Sequence, residues 1–476
     1  MMVTDTYHQV LERHAAFKRF NERWVADPVF RKELSLDKSG TLARYEIDCQ
    51  PEDVHSLQEA DPSKPSTAMR AMWQMIVAKT VWTEHFYKKS AVPDDPRIRG
   101  WRERQIARQF LELGPFHTKS NIHASLSIEV TKGCSVGCWF CALSPDSLGG
   151  VFRYDDAGRA DWIDTLKALG SCLGPAAQSG FLYWASDPFD HPNYEEMCID
   201  FYETIGAFPP TTTALPIKNP ARTRKLLKVS EERDCWINRF SILTLKMLDR
   251  VHREFSAGEL ARVECLPLNP ESAFAFGNAG RFRERAMAEP EVLERQRRNL
   301  LWAPWYTGDP AYADTSDYPL ASIGCVTGFL LNMVDRSVQL ISPCAASDRW
   351  PLGYYIHAEG RFTDGADLKG LLDGMVERHM SPYLADSDIL RLHDWLRYEE
   401  TENGFRLHGR FHQTVAFEGV ERRAAWHAIG DLVKSGRQSV EHVASTVASQ
   451  CSLDGGLVRG MLNELLRSGV LYEICD

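Results

Sequence analysis

Three of the chain's 12 cysteines, Cys134, Cys138 and Cys141, fall within eight positions in TKGCSVGCWFCALSP, a C-x3-C-x2-C spacing. Three thiolates on one loop can hold three irons of a [4Fe–4S] cube, which leaves the fourth iron without a protein ligand and open to another molecule. Gly133 and Gly137 suit such a loop, because backbone wrapped around a cluster needs unusual dihedrals and close approach. A structural zinc site is the alternative. It wants four ligands, usually as two close cysteine pairs, and no fourth Cys or His adjoins the motif.

The elements that must position this loop are legible as patterns. The motif follows ASLSIEVT, where Leu126, Ile128 and Val130 alternate with Ser127 and Glu129, as in a strand with one buried face. Further strand-like runs are SGFLYWAS, TTTALPI, NRFSILTL, ARVECLPL and SVQLISPC. Between them lie helical stretches such as ADWIDTLKALGSCL, YEEMCIDFYETIG and ARTRKLLKVSEE. This alternation predicts an α/β fold with a parallel sheet, open or closed into a partial barrel, and chemistry at the strands' C-terminal ends. Residues 1–115 read as a helical N-terminal region. In it STAMRAMWQMIVAKTVWTEHFYKK places Met69, Met72, Trp73 and Ile76 at helical spacing after Ser66 and Thr67 as N-caps. That stripe is expected to be core rather than an adaptable methionine groove. The charged run RFRERAMAEPEVLERQRRN is expected to be a solvated helix face. Residues 116–360 form the α/β unit, 361–400 a helical linker, and 401–476 a small module of two short strands and three helices.

The composition excludes several classes. A chain of 476 residues has room for two or three domains, and 55 basic against 65 acidic side chains give a net charge of −10. That balance disfavours nucleic acid as a partner, since binders of the phosphate backbone need a basic stripe. The start, MMVTDTYHQVLERHAAF, has no signal-peptide core, and no apolar run is long enough for a membrane span. The expectation is a cytoplasmic protein in a reducing compartment, with no membrane partner.

The cysteine spacing, with Trp139 and Phe140 before the third cysteine, resembles the radical S-adenosylmethionine (AdoMet) enzymes. The resemblance implies a partial (β/α)6 TIM-type barrel. It also implies AdoMet chelated through its amino and carboxylate groups at the open iron, and reductive cleavage fed by an electron donor such as flavodoxin or ferredoxin. It further implies cofactor contacts at Phe140, and at Ser186 and Asp187, where ASDPFDHP stands in place of the family's Gly-Gly-Glu-Pro. Ser241 in NRFSILTL is read as an incidental hydroxyl.

The flanks narrow the reading. AAWHAIGDLVKSGRQSVEHVASTVASQCSLDGGLVRGMLNELLRSGVLYEI resembles the winged-helix-like recognition elements that hold leader peptides of ribosomally made natural products. FNERWVADPVFRKELSLDKSGTLARYEIDCQPEDVHSLQ is similar to the nitrogen-fixation-type leader domain of proteusin precursors. Most of the chain is similar to the proteusin-type radical AdoMet peptide epimerases, through GCSVGCWFC, ASDPFDHP and GCVTGFLLNMVDRSVQLISPC. This resemblance implies conversion of L- to D-residues in a precursor peptide, by abstraction of the Cα hydrogen and return of a hydrogen to the opposite face. A thiol is the side chain suited to return it. Cys344 closes VQLISPC after Pro343, so it is expected at a strand's C-terminal end, dry and protonated, with Cys325 as the next candidate. Only Cys451 and Cys475 follow, too few for a second cluster, and Cys49, Cys172, Cys198, Cys235 and Cys265 read as buried small hydrophobes. The alternatives are a radical AdoMet maturase forming thioether or carbon–carbon crosslinks, and a non-catalytic iron–sulfur scaffold that binds leaders.

Overall fold

The computed structural model describes residues 2–54, 65–274, 276–295 and 324–474. Cys475, residues 55–58 of the leader-like segment and residues 296–299 of the charged run lie outside the described residues.

The N-terminal region is helical as expected: Met2–Arg13, Ala15–Ala26, Pro28–Leu36, Lys38–Arg44, Thr67–His85 and Pro96–Ser120. The break at residue 27 has a local cause. The Asp27 carboxylate accepts from the Val29 and Phe30 amides, and Pro28, which has no amide to satisfy, takes the first helical position. Phe20, Trp24, Phe30, Leu34 and Leu42 form a core of their own. The region is also tied to the α/β unit: Lys18 Nζ donates to Leu260 O at 3.0 Å and Asn269 Nδ2 to Ala26 O at 3.0 Å. Ser66 caps Thr67–His85 by accepting from the Met69 amide. The methionine stripe is core only in part. Met69 and Met72 are buried, but Trp73 is 47% and Ile76 42% exposed, because the helix packs through Ala68, Met69, Ala71, Met72 and Trp82.

Strand Ala124–Glu129 is buried at all six positions, not on one face only. It lies inside a sheet with a layer on each side, which removes the alternation of a half-exposed strand. Val326–Asn332 pairs with it in parallel. On its other side Ser127 makes a parallel bridge to Phe181, and the Ser127 hydroxyl donates to Tyr183 O at 2.7 Å. SGFLYWAS thus contributes a single bridge where a full strand was expected. Thr212–Thr213, Asn238–Ile242 and Val263–Pro267 form a parallel three-stranded sheet, joined to this row by Thr212 Oγ1 donating to the Tyr183 hydroxyl at 2.8 Å. Helices Asp156–Leu173, Tyr194–Ile205, Pro220–Glu231 and Leu245–Glu254 alternate with these strands. At the opposite edge Ser337–Pro343 and Tyr354–Arg361 continue the first sheet antiparallel. The fold is mixed α/β, and among the described residues no sheet closes into a barrel.

After helix Gly365–His379 the expected helical linker ends early. Ile389–Leu390 pairs with Gln438–Ser439, and Arg397–Thr401 forms a hairpin with Gly404–His408, so a boundary at 401 cuts a sheet. Thr414–Glu418 completes three antiparallel strands, one more than expected. Helices Arg423–Lys434, Val440–Cys451 and Gly455–Arg467 follow. This end module shares its core with Leu111 of Pro96–Ser120, and Arg104 pairs with Glu473 at 2.8 Å. Among the described residues no helix is long and apolar enough to cross a membrane.

Candidate functional site

The cysteine loop leaves the C-terminal end of the buried strand Ala124–Glu129. Thr131–Lys132 pairs antiparallel with Gly150–Val151 and cinches the loop at its base. Inside the base, the Cys134 amide donates to Asp146 O at 3.0 Å and the Gly149 amide to Lys132 O at 2.8 Å. Gly133 has φ +77°, and a Cβ there would lie 2.4 Å from Ser147 O, so only glycine fits without displacing the base. The Ser135 amide and hydroxyl both donate to Asp190, at 2.9 and 2.6 Å. Arg281 closes the loop from outside: its amide donates to Cys141 O at 3.1 Å and its guanidinium bonds Pro145 O. Helix Gly280–Ala288 therefore turns part of its charge inward, and the solvated face expected of this run holds only in part.

The three cysteines are half-buried. Burial pushes the Cys138 thiol up to about 12, and the neighbouring Cys141 and Cys134 push the same way. A single tetrahedral zinc, with Zn–S about 2.3 Å, would draw its sulfurs to about 3.8 Å of each other. Among the described residues the one trio of ligand atoms within 4.8 Å of each other lies elsewhere, at Glu22, His252 and Cys265. The three loop thiols do not all lie within that distance of one another, which suits a cluster that takes one thiolate per iron.

Phe140 stacks on Phe276 with centroids 4.6 Å apart, beside Trp139 and Phe282, so an aromatic wall flanks the loop. Ser186 sits half-buried at the bend that follows the Phe181 bridge. Asp187 is engaged by the protein itself. It accepts from the Phe189 amide at 3.0 Å, from Thr213 Oγ1 at 2.7 Å and from the Ala214 amide at 2.7 Å, and is 4% exposed. Three of its roughly four acceptor sites are taken. Its evident work is to tie the bend to strand Thr212–Thr213, not to present a free carboxylate to a ligand.

Glu129, whose place in the alternation suggested an outward side chain, turns inward at the foot of the loop. Oε1 accepts from the Ala185 amide at 2.8 Å and Oε2 from Asn332 Nδ2 at 3.1 Å, while burial raises the carboxyl to about 7. Alternation alone hid it. A glutamate five residues before the first cysteine was the available signal. Asp190 and Arg281 were also missed, because nothing near them in sequence marks their partners.

Cys344 lies one residue past its strand, Ser337–Pro343, whose last pair is Pro343 with Tyr354, and burial pushes its thiol well above the ordinary range. The strand, however, runs antiparallel to Val326–Asn332. Its C-terminal end therefore aligns with Val326 and Ala124, at the end of the sheet opposite the one from which the cysteine loop departs. The geometric ground for placing Cys344 at the active end is corrected by strand direction, which side-chain alternation does not encode. Its thiol packs among Trp350, Tyr355, Tyr472 and Ile474. Cys325 precedes Val326 at that same end of the sheet, where its carbonyl accepts from the Ala124 amide at 2.9 Å; it belongs to a cluster that includes Leu143 of the cysteine loop, Ala185 and Trp184, and burial raises its thiol to about 12.

Fold and site together define a mixed α/β protein with a helical N-terminal region and a three-thiol loop at the end of a central parallel strand. No family model and no solved structure matches the chain. It is similar to the uncharacterized protein y4wI of Sinorhizobium fredii (strain NBRC 101917 / NGR234), 32% identical over 483 residues that span 96% of this chain and 87% of that protein. The chain belongs to the family that contains y4wI.

Proposed function

We propose that the protein is a radical AdoMet enzyme, built on a partial barrel and working in the cytoplasm, that epimerises L- to D-residues in a ribosomally made precursor peptide. The observation that carries the proposal is the set of three half-buried thiols on one cinched loop at the end of the central parallel strand. These residues fit a [4Fe–4S] cluster with one open iron. When bound, the cluster and AdoMet supply a hydrogen-abstracting radical, with flavodoxin or ferredoxin as the electron source.

The chain's own residues hold and shield that chemistry. Gly133, Asp146 and Asp190 fix the loop, Arg281 braces it, and Glu129 ties the strand end to Ala185. The apolar cluster of Leu143, Trp184, Leu330 and Tyr354 excludes water beside it. A protonated thiol returns the hydrogen. Two thiols at the Val326 end of the sheet are the candidates, Cys344 after Pro343 and Cys325 before Val326, and Cys325 is the one whose apolar cluster also includes Leu143 and Ala185. The three-stranded sheet of the end module offers Arg397–Thr401 and Thr414–Glu418 as edges, where an extended leader can add by backbone hydrogen bonds.

The test is co-expression with the precursor encoded nearby, in deuterated water. Epimerisation adds one mass unit per centre and yields D-residues on chiral analysis, and any of Cys134→Ala, Cys138→Ala or Cys141→Ala abolishes both. A product with a lost hydrogen pair and no D-residue would replace epimerisation with crosslinking. Anaerobically purified protein that holds zinc in this loop and no iron would defeat the radical reading.

A further inference from the structure

The geometry points to a second metal centre, a zinc site made by Glu22, His252 and Cys265. It is independent of the cysteine loop and of the proposed reaction. The three residues come from three elements: Glu22 from helix Ala15–Ala26, His252 from helix Leu245–Glu254, and Cys265 from strand Val263–Pro267. Their ligand atoms lie within 4.8 Å of one another. In a tetrahedral zinc site, with bonds of about 2.0–2.3 Å, ligand atoms sit about 3.3–3.8 Å apart. Side-chain rotation alone can close a gap of that size.

The carboxylate is already oriented for the task. Oε1 of Glu22 accepts from the Cys265 amide at 2.9 Å and pairs with Lys18 Nζ at 2.7 Å, which leaves Oε2 turned toward His252. The Oε2–Nε2 separation is 3.8 Å, beyond hydrogen-bond length. The His252 side chain is 8% exposed, and its Nε2 finds no hydrogen-bond partner in the protein. A buried imidazole nitrogen left unpaired costs stability unless something else binds it. A metal ion at the centre of the trio would satisfy it.

The donor set selects the ion. A thiolate, an imidazole and one carboxylate oxygen suit zinc far better than magnesium or calcium, which prefer oxygen ligands alone. Three protein ligands leave a fourth position for water. On binding, the Cys265 thiol releases its proton to solvent as the S–Zn bond forms, so thiolate and carboxylate together balance the ion's two charges. Lys18 stays on Oε1 as an outer partner that fixes the carboxylate. Val251, Phe255 and Val263 share an apolar cluster with Cys265 and keep bulk water from its side of the trio. Such a site would staple the N-terminal helices to the edge of the parallel sheet. The bland reading is a Lys18–Glu22–His252 charge cluster beside a space-filling cysteine, in which His252 Nε2 still lacks a hydrogen bond.

The experiment uses the full chain carrying Cys134→Ala, Cys138→Ala and Cys141→Ala, so that the loop cannot take metal. Purified anaerobically and dialysed against limiting zinc, it should retain one zinc per chain and release one proton on binding. Cobalt in place of zinc should show thiolate charge-transfer absorbance. Adding Cys265→Ala should remove that absorbance and weaken zinc about 100-fold or more, since losing even an outer partner costs 10–100-fold. His252→Gln should weaken zinc by at least as much as an outer-partner loss, and Cys172→Ala should change nothing. Zinc should raise the melting temperature of the parent and not of the ligand variants. If the parent triple variant does not fold, the cluster-loaded chain serves instead, with zinc counted separately from iron. Should Cys265→Ala not fold, His252→Gln decides. No zinc above background, or zinc that survives both Cys265→Ala and His252→Gln, overturns the site.

Discussion

Gly133→Ala and Gly137→Ala make a matched pair at the cysteine loop. Both glycines have positive φ, +77° and +65°, so an alanine at either position pays the left-handed penalty of about 1–2 kcal/mol. There the likeness ends. A Cβ at 137 meets nothing within 4 Å, whereas at 133 it would lie 2.4 Å from Ser147 O and 2.7 Å from Asp146 O. Both obstacles are backbone, so residues 146–147 must move. That movement breaks the Cys134 amide bond to Asp146 O and loosens the Gly149 amide bond to Lys132 O, at about 1 kcal/mol each. Gly133→Ala should therefore open the loop base about 2 kcal/mol more easily than Gly137→Ala. At about 1.4 kcal/mol per factor of ten, that is a roughly 30-fold larger open population. Native-state hydrogen exchange at the Cys134 and Gly149 amides reads this directly, with or without a bound cluster. Equal exchange in the two variants would refute the steric account of Gly133.

Other outcomes follow from the same contacts. Glu129, raised to about 7 by burial, should make the protein less stable as pH climbs from about 4.5 to about 7 and level above that, by up to about 3 kcal/mol. The sign follows because the unfolded carboxyl, near 4.3, loses its proton first, so in that window the folded state holds more protons. Urea melts of Glu129→Gln should lose this slope, and an unchanged slope would assign it to another group. Arg108→Met should cost about 3–5 kcal/mol, because it strands the buried Glu112 carboxylate and removes the guanidinium that binds Ser342, Pro343 O and the Tyr355 ring. A loss below about 1 kcal/mol in chemical denaturation would show that Glu112 is neutral in the fold. Cys325→Ala should still make 5′-deoxyadenosine yet yield few D-residues, while Cys344→Ala should yield them near the parent level; the reverse pattern would return the hydrogen-donor role to Cys344.

Much of this architecture is legible in local pattern, and what is missing shares one physical cause. The thiol spacing, the strand before it and most of the βα alternation are short-range signals, and the chain forms those elements where they predict, with SGFLYWAS the exception. Strand direction and partner choice are long-range. Ser337–Pro343 reads as the strand it is, but nothing in its alternation says that it runs against Val326–Asn332, which is what separates Cys344 from the thiol loop's end of the sheet. Arg397–Thr401, RYEET, escaped because an edge strand with exposed residues on both faces carries no apolar period. The same blindness concealed Trp73 and Ile76, since helical spacing marks a stripe without saying what covers it. Asp187 looked free for a ligand because its partners, Thr213 and Ala214, are distant in sequence.

The pairing of Ala124–Glu129 with Val326–Asn332 also sets an order of events during synthesis. The two strands are separated by about 200 residues of chain. At 5–20 residues per second, the first strand waits on the order of 10–40 s after leaving the ribosome before its parallel partner exists. For that interval one side of an entirely buried strand has no partner to pair with, a template for wrong pairing between nascent chains. Completion cannot begin earlier, since the loop-closure cost of so long a connection must be met before any rung of that ladder forms. Yield in a heterologous host should therefore respond to slower initiation, lower temperature or added chaperone more than to any surface substitution.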